Sequence, residues 1–183
     1  MIYVKLIPAF TDNYIFALTL NDGLIAVVDP GEAAPVFAYL KENNLDLSYI
    51  ILTHHHDDHI GGTEELRTAF PDALVIGHEK DAKRLPPLDE AVKDGDKFTI
   101  GDTDFDVIET AGHIIGHICY HLPQEHILFV GDTLFVMGCG RLFEGSPAQM
   151  HESLTKLCAL DDDTQIYCAH EYSLANAAFA LHA

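Results

Sequence analysis

Short apolar runs recur along the chain, each bounded by turn residues or by charged residues. They cover residues 3–7, 14–20, 24–28, 49–52, 74–77, 97–100, 105–108, 118–122, 127–130 and 165–168. Each run is too short for a typical helix and predicts a β-strand. Asn21-Asp22-Gly23 separates the second run from the third and is typical of a hairpin turn, so the chain is expected to start as an antiparallel sheet.

Other segments carry the apolar spacing or the end signals of helices. They run from about 33 to 43, from Gly61 to Pro71, from Ser146 to about 160, and onward from about 173. Residues 79–96 are charged and contain two adjacent prolines, which indicates a surface excursion between two structural halves. Helices interspersed with two groups of strands predict a layered α/β protein, with two packed sheets and the helices outside.

The charge balance argues against two classes of partner. The 183 residues include 10 Lys and Arg against 29 Asp and Glu, which gives a formal net charge of −19. Nucleic acids and anionic membranes both require a basic surface, so neither is an expected partner. The length fits a single domain, residues 1–183. Histidine is unusually frequent, with 12 residues, and imidazole is a common ligand of transition metals.

The cysteines and the N-terminus predict a cytoplasmic protein with reduced thiols. Cys119, Cys139, Cys158 and Cys168 form no C-x-x-C pair, so a disulfide framework is not expected. Residues 1–8 lack the basic start of a secretory signal. No window approaches the ~20 apolar residues of a transmembrane helix.

The segment Thr53-His54-His55-His56-Asp57-Asp58-His59 follows a predicted buried strand and precedes a predicted helix. His54 and His56 are two residues apart, so on an extended stretch both imidazoles point to the same side and can share a metal ion. Asp58 and His59 stand where the chain turns into the helix and can reach a neighbouring position. This one segment could therefore contribute ligands to two metal ions, although a solvated polar loop is the simpler alternative.

Three later segments place metal-ligand residue types just after or just before predicted strands. They contain His113, Asp132 and His170. Active-site groups of α/β folds gather at strand ends. Each residue alone is weak evidence, because an isolated histidine is often structural and an aspartate before threonine often forms a turn. Their occurrence together with the histidine-rich segment favours a metal centre.

These residues resemble the metallo-β-lactamase superfamily. Residues 53–59 fit its T-H-x-H-x-D-H signature, and His113, Asp132 and His170 fit its remaining ligand positions in order. Within it the chain resembles the glyoxalase II (hydroxyacylglutathione hydrolase) family, in segments at 8–14, 28–31, 112–117, 131–135, 138–145 and 168–172. The resemblance implies a metallo-β-lactamase-like αββα sandwich, with two packed mixed sheets and helices outside.

Carried over by position, the resemblance implies two divalent metal ions, expected to be zinc, with iron or manganese as alternatives. The implied ligands are His54, His56 and His113 for one ion and Asp58, His59 and His170 for the other, with Asp132 bridging. It also places Arg141, Phe143 and Tyr172 beside a glutathione moiety. His55 and Asp57 fall at variable positions, and His117 is interpreted as structural or supporting rather than as a ligand.

The implied activity is hydrolysis of S-2-hydroxyacylglutathione, of the lactoylglutathione type, with Asp58 as the catalytic residue that orients the attacking water. Members of that family continue past the segment at 168–172 into a helical C-terminal domain, whereas this sequence stops at Ala183. The resemblance therefore covers the catalytic domain. The alternatives are another hydrolase of the superfamily, such as a lactonase or β-lactamase, an iron-dependent persulfide dioxygenase, and a metal-binding module with little turnover.

Overall fold

A six-stranded sheet forms the first half of the computed structural model, which describes residues 2–182. Its strands follow chain order: β1 (Tyr3–Ala9), β2 (Asn13–Thr19), β3 (Ile25–Val28), β4 (Tyr49–Ile51), β5 (Leu74–His78) and β6 (Glu90–Val92). The first three strands pair antiparallel, and the pairs from β3 to β6 are parallel. The sheet is therefore mixed, as predicted.

The second half supplies another sheet and a small ribbon. Its strands are β7 (Lys97–Ile100), β8 (Thr103–Glu109), β9 (Ile118–Leu122), β10 (Ile127–Gly131), β11 (Leu134–Phe135), β12 (Gly138–Cys139) and β13 (Gln165–Cys168). The five-stranded sheet has the order β13-β10-β9-β8-β7, in which only β13 pairs parallel with its neighbour. β11 and β12 form the separate ribbon.

The described residues form five α-helices. They are α1 (Ala33–Asn43), α2 (Asp57–Ile60), α3 (Thr63–Ala69), α4 (Pro147–Cys158) and α5 (Ser173–Ala180), with a 3₁₀ turn at Glu79–Asp81. At the start of α4, Gln149 donates its backbone N–H to Ser146 Oγ and its side chain accepts from the Ser146 backbone N–H, which forms a capping box at the predicted helix start.

Apolar side chains hold four layers together. The space between the two sheets is filled by a cluster that includes Phe16, Phe105, Tyr120 and Phe129. A second cluster packs α1 and α3 on the outer face of the first sheet, and a third packs Leu157 of α4 on the outer face of the second. The predicted layered α/β arrangement, with helices outside two packed sheets, is confirmed.

The interpretation of residues 79–96 as a surface excursion was wrong in two respects. Glu90–Val92 pairs parallel with β5 and forms the edge of the first sheet. Asp81, in the 3₁₀ turn, is completely buried. A three-residue strand carries too few positions for an alternating pattern to show, and an aspartate reveals its burial only through its partners in the fold.

The thiols differ sharply in exposure. Cys119 is buried on β9, and burial raises its pKa to about 12, whereas Cys139 and Cys158 are exposed. Because the thiolate is the reactive form, we expect a disulfide reagent at pH 8 to modify Cys139 and Cys158 in the folded protein and Cys119 only on unfolding. Mass spectrometry of the modified peptides would check this order. Modification of native Cys119 as fast as Cys139 would contradict it.

No helix among the described residues has the length and apolar character needed to cross a bilayer.

Candidate metal centre

The histidine-rich segment leaves the first sheet and enters a helix. β4 ends at Ile51, residues 52–56 lie outside helix and strand with His56 in an extended conformation, and α2 begins at Asp57. His54 and His56 therefore precede the helix, while Asp58 and His59 lie in the first turn of α2. Acidic residues in that turn are favourable, because the N-terminus of a helix carries partial positive charge.

The other ligand-type residues come from the second sheet. Asp132 directly follows β10, and His170 lies two residues after β13, which is the parallel neighbour of β10. Because parallel strands end at the same edge of a sheet, these side chains lie close together. His113 lies in the loop between β8 and β9 and joins them from the side.

Three imidazoles converge in one group. His54 Nε2 lies 3.1 Å from His56 Nδ1, and His113 Nε2 lies 3.0 Å from the same atom. Asp132 Oδ2 completes the group at 3.4 Å from His113 Nε2. These four side chains place their ligand atoms within 4.8 Å of one another, which is close enough to bind a single cation.

A second group lies beside the first and shares Asp132 with it. Asp58 Oδ2 is 3.5 Å from His59 Nε2 and 3.4 Å from His170 Nε2. Asp132 Oδ1 is 3.5 Å from His59 Nε2 and 3.2 Å from His170 Nε2. The two oxygens of Asp132 thus face different groups, as a bridging carboxylate does.

In four of the histidine rings, the nitrogen that points away from the centre, Nδ1, is hydrogen-bonded. His59 Nδ1 donates to Asp29 Oδ2 (3.1 Å), His113 Nδ1 to the Arg141 carbonyl (2.7 Å) and His170 Nδ1 to Asp12 Oδ1 (2.8 Å). His54 Nδ1 donates to Thr53 Oγ1, whose own proton goes to Asp29. In each of these rings Nδ1 is hydrogen-bonded and Nε2 faces the centre, as in a metal-ligating histidine.

Two buried atoms at this centre have no hydrogen-bond partner in the structure, namely His59 Nε2 and Asp132 Oδ1. Burying an unpaired polar atom is unfavourable by about 1–3 kcal/mol, and more for a charged group. A bound cation would satisfy both atoms. Imidazole nitrogens and carboxylate oxygens also suit zinc, iron and manganese, so the residues present fit a pair of divalent cations.

The pKa shifts of three histidines and of Asp132 also favour metal binding at this centre. Burial lowers the pKa of His54 well below its usual range and also lowers the pKa values of His56 and His113, so these rings are neutral at pH 7 and able to bind metal. Burial opposes ionisation of Asp132, but His59 and His170 outweigh it and hold the pKa of its carboxyl well below the usual range. Asp132 is therefore an anion.

The backbone of Asp132 is held by His117. The Asp132 N–H donates to His117 Nε2 at 3.0 Å, and burial lowers the pKa of His117 to about 3, so the ring stays a neutral acceptor. Gly131 has φ +46, and a Cβ there would lie 2.5 Å from Thr53 Oγ1 and 2.6 Å from His117 Nε2. Only glycine fits between these groups, which lets β10 deliver Asp132 to the centre.

A cavity of about 530 Å³ opens over both groups. The side chains of Arg141, Phe143 and Tyr172 line it beside the ligand-type residues. Tyr172 stacks on His170 with ring centroids 5.0 Å apart, and the Arg141 guanidinium lies 5.2 Å from the centre of the Phe143 ring. The structure therefore brings all ten residues singled out in the sequence to one place.

The sequence-family model of the metallo-β-lactamase superfamily matches residues 9–170 of the chain. The chain belongs to this superfamily. It is 52% identical to the hydroxyacylglutathione hydrolase of Aliivibrio salmonicida over 181 residues, which are 99% of this chain and 70% of that protein. It is 50% identical to the hydroxyacylglutathione hydrolase of Klebsiella pneumoniae over 96% of this chain and 68% of that one. Within the superfamily the chain belongs with these glyoxalase II proteins.

Solved structures of the superfamily share the fold. The B3 metallo-β-lactamase BLEG-1 superposes with a TM-score of 0.84 at 29% identity, covering 92% of each chain. ETHE1 from Myxococcus xanthus superposes with a TM-score of 0.82 at 30% identity, covering 93% of this chain and 76% of that one. The expected metallo-β-lactamase αββα sandwich is confirmed.

The two residues at the variable positions of the superfamily signature belong to neither group of ligand-type residues. His55 turns away from the centre and donates from Nδ1 to Asp81 at 2.7 Å. Asp57 lines the cavity without entering either group.

The sequence did not reveal the roles of Asp12, Asn13 and Asp29, although all three lie in segments that resemble the family. Nothing local marks them as partners, because their contacts join distant parts of the chain.

Replacing Asp12 tests whether its hydrogen bond with His170 contributes to metal binding. It accepts from His170 Nδ1, and loss of a carboxylate in this position typically weakens metal binding by about 10–100-fold. We expect Asp12→Ala to weaken the binding of a divalent metal ion by that factor, as measured by chelator competition. Asp46→Ala, at an exposed position, is the control. Equal metal affinities in both variants would contradict the assignment.

Proposed function

We propose that the chain hydrolyses S-2-hydroxyacylglutathione thioesters, of the lactoylglutathione type, to a 2-hydroxy acid and glutathione, with two divalent metal ions. Residues 1–183 act as one metallo-hydrolase domain in this proposal. One observation carries it: seven ligand-type side chains form two groups that share Asp132 beneath a cavity. The 52% identity to a hydroxyacylglutathione hydrolase supports the choice of substrate.

The ligand assignment follows from the two groups. His54, His56 and His113 would hold one ion, Asp58, His59 and His170 the other, and Asp132 would bridge them. Zinc is the proposed metal, with iron or manganese as alternatives, since the donor set suits all three. A structural relative, TTHA1623, superposes with a TM-score of 0.79 at 25% identity and was solved in a di-iron-bound form.

The chemistry requires an activated water and a polarised carbonyl. Two bound divalent ions would supply both, since they lower the pKa of a water from 15.7 toward about 7 and act as Lewis acids. Asp58 is the proposed catalytic residue and orients the attacking water. Its Oδ2 accepts from the Asn13 amide at 2.9 Å, which fixes the carboxylate and leaves Oδ1 to accept from the water.

The remaining steps require no general acid from the protein. The water releases one proton to solvent as its oxygen bonds to the thioester carbon, the carbon–sulfur bond breaks, and the sulfur departs as a thiolate. A thiol of pKa about 8.5 leaves readily without a general acid. Arg141 is the basic residue of the cavity wall and would face a carboxylate of the glutathione moiety, while Phe143 and Tyr172 would contact its apolar parts.

The test is turnover by zinc-loaded protein with S-lactoylglutathione, a simple lactone and a penicillin. We expect hydrolysis of the thioester, abolished in His54→Ala and retained in His151→Ala. His151 is the matched control, because it is an exposed histidine on α4 that belongs to neither group of ligand-type residues.

Each alternative has its own outcome. Hydrolysis of the lactone or penicillin with the thioester untouched would replace the proposal with another hydrolase of the superfamily. Two bound metal ions without turnover of any substrate would indicate a metal-binding module.

A further inference from the structure

A buried carboxylate outside the metal centre joins two loops of the site. Asp81 is completely buried, and its Oδ2 accepts from His55 Nδ1 at 2.7 Å. Its Oδ1 accepts from Arg84 through Nε at 2.8 Å and through a second guanidinium nitrogen. His55 lies between His54 and His56, so Asp81 is tied directly to the segment that carries four ligand-type residues.

Arg84 extends this connection to the wall of the cavity. Its guanidinium donates to both oxygens of Glu144, the residue after Phe143. Glu144 also accepts from the backbone N–H of Ile115 at 2.9 Å. This hydrogen bond lowers the pKa of Glu144 further, after the larger effect of Arg84. Glu144 is therefore an anion, which makes both contacts charge-assisted.

The segment at 141–145 also touches the metal centre through its backbone. His113 donates from Nδ1 to the Arg141 carbonyl at 2.7 Å, and the Phe143 N–H donates to the His113 carbonyl at 3.0 Å. The side chains of Arg141 and Phe143 therefore start from a backbone that is hydrogen-bonded directly to His113. Glu144 is the side chain that ties the segment to the rest of the fold through Arg84.

Close packing limits how far these loops can move relative to one another. A Cβ on Gly116 would lie 2.5 Å from Cγ and Oδ1 of Asp81, so the loop at 112–117 lies directly on that carboxylate. Asp81 thus contacts both the loop of His113 and the guanidinium that holds Glu144. The segments at 53–59, 112–117 and 141–145 meet at this one chain of hydrogen bonds.

We propose that Arg84 and Glu144 are positioning residues that hold Arg141 and Phe143 at the distance from the metal centre that the substrate requires. Neither side chain lines the cavity, so they act through the segment at 141–145. The expected consequence is on substrate affinity rather than on the chemical step. This inference rests on the proposed function for its kinetic test, and a structural measurement tests it separately.

The structure offers a closely matched pair of variants. Glu144→Ala removes a carboxylate, 31% exposed, that accepts from an arginine and from a backbone N–H. Asp89→Ala removes a carboxylate, 32% exposed, that accepts from Arg67 and from the Val75 N–H, and it lies outside the cavity lining. Both variants leave Asp81 paired with Arg84 and His55, so no buried charge loses its partner.

We expect Glu144→Ala to raise KM for S-lactoylglutathione by about tenfold, with kcat and metal content changed less than twofold, and Asp89→Ala to alter neither constant. Amide hydrogen exchange, followed by mass spectrometry, is expected to accelerate in peptides covering 113–115 and 141–145 in Glu144→Ala alone.

If the wild type hydrolyses the thioester and Glu144→Ala has an unchanged KM, the positioning role is overturned and the proposed function stays intact. If the wild type fails to turn over, the proposed function fails, and unchanged exchange in Glu144→Ala then overturns this inference independently.

Discussion

Replacing Asp132 with alanine is expected to lower kcat/KM for S-lactoylglutathione by about 10³-fold or more. Each oxygen of this carboxylate faces a different group of ligand-type residues, so its loss weakens both metal sites at once. Loss of a supporting partner of a metal ligand typically costs about 10–100-fold, and loss of a shared ligand is expected to cost more. Steady-state kinetics and elemental analysis of the purified variant would measure the activity and the bound metal.

The comparison for Asp132→Ala is Asp106→Ala, which removes only a pair with Lys97 on the second sheet. We expect this control to keep the activity and the metal content of the wild type. Activity of Asp132→Ala within tenfold of the control would contradict the bridging role.

Replacing Asp29 with alanine is expected to reduce the free energy of unfolding by about 3–5 kcal/mol, because removing one partner of a buried ionic contact leaves the others unpaired. Asp29 is buried and accepts from the Thr53 N–H at 2.8 Å, from Thr53 Oγ1 at 2.7 Å and from His59 Nδ1 at 3.1 Å. Three donors would lose their acceptor together. Urea unfolding of metal-free protein would measure the change without a contribution from bound ions.

Asp29→Asn provides a closer comparison. Asp29 has φ 50, a left-handed conformation that asparagine tolerates well, so this variant keeps the backbone and the shape of the side chain. We expect it to be destabilised less than Asp29→Ala. Asp72→Ala, in an exposed turn, should change the unfolding free energy by less than about 0.5 kcal/mol. A loss no larger in Asp29→Ala than in Asp72→Ala would contradict the role of the buried acceptor.

Local patterns predicted most of the fold because they act over short distances. The spacing of Val36 and Leu40 places α1 at its observed bounds, since one face of a helix must be apolar to pack on a sheet. The one-turn helix α2, the edge strand β6 and the ribbon of β11 and β12 were missed. Each is too short to show a period.

The ligand-type residues could be predicted because the superfamily signature is compact, with four of the seven lying within residues 53–59. Their supporting partners could not. His170 is oriented by Asp12, 158 positions away, and His59 by Asp29, 30 positions away. Such pairs depend on which strand ends meet, and a single sequence does not show that. The same reason explains why the link from Asp81 through Arg84 to Glu144 was visible only in the folded chain.

A stepwise zinc titration shows how many metal ions the hydrolysis requires. Metal-free protein would receive zinc in fractions of one equivalent, and hydrolysis of S-lactoylglutathione would be measured at each step. We expect the activity to rise until about two equivalents per chain are bound and then to stay constant. A plateau reached at one equivalent, or no hydrolysis at any loading, would contradict a thioester hydrolase with two metal ions at this centre.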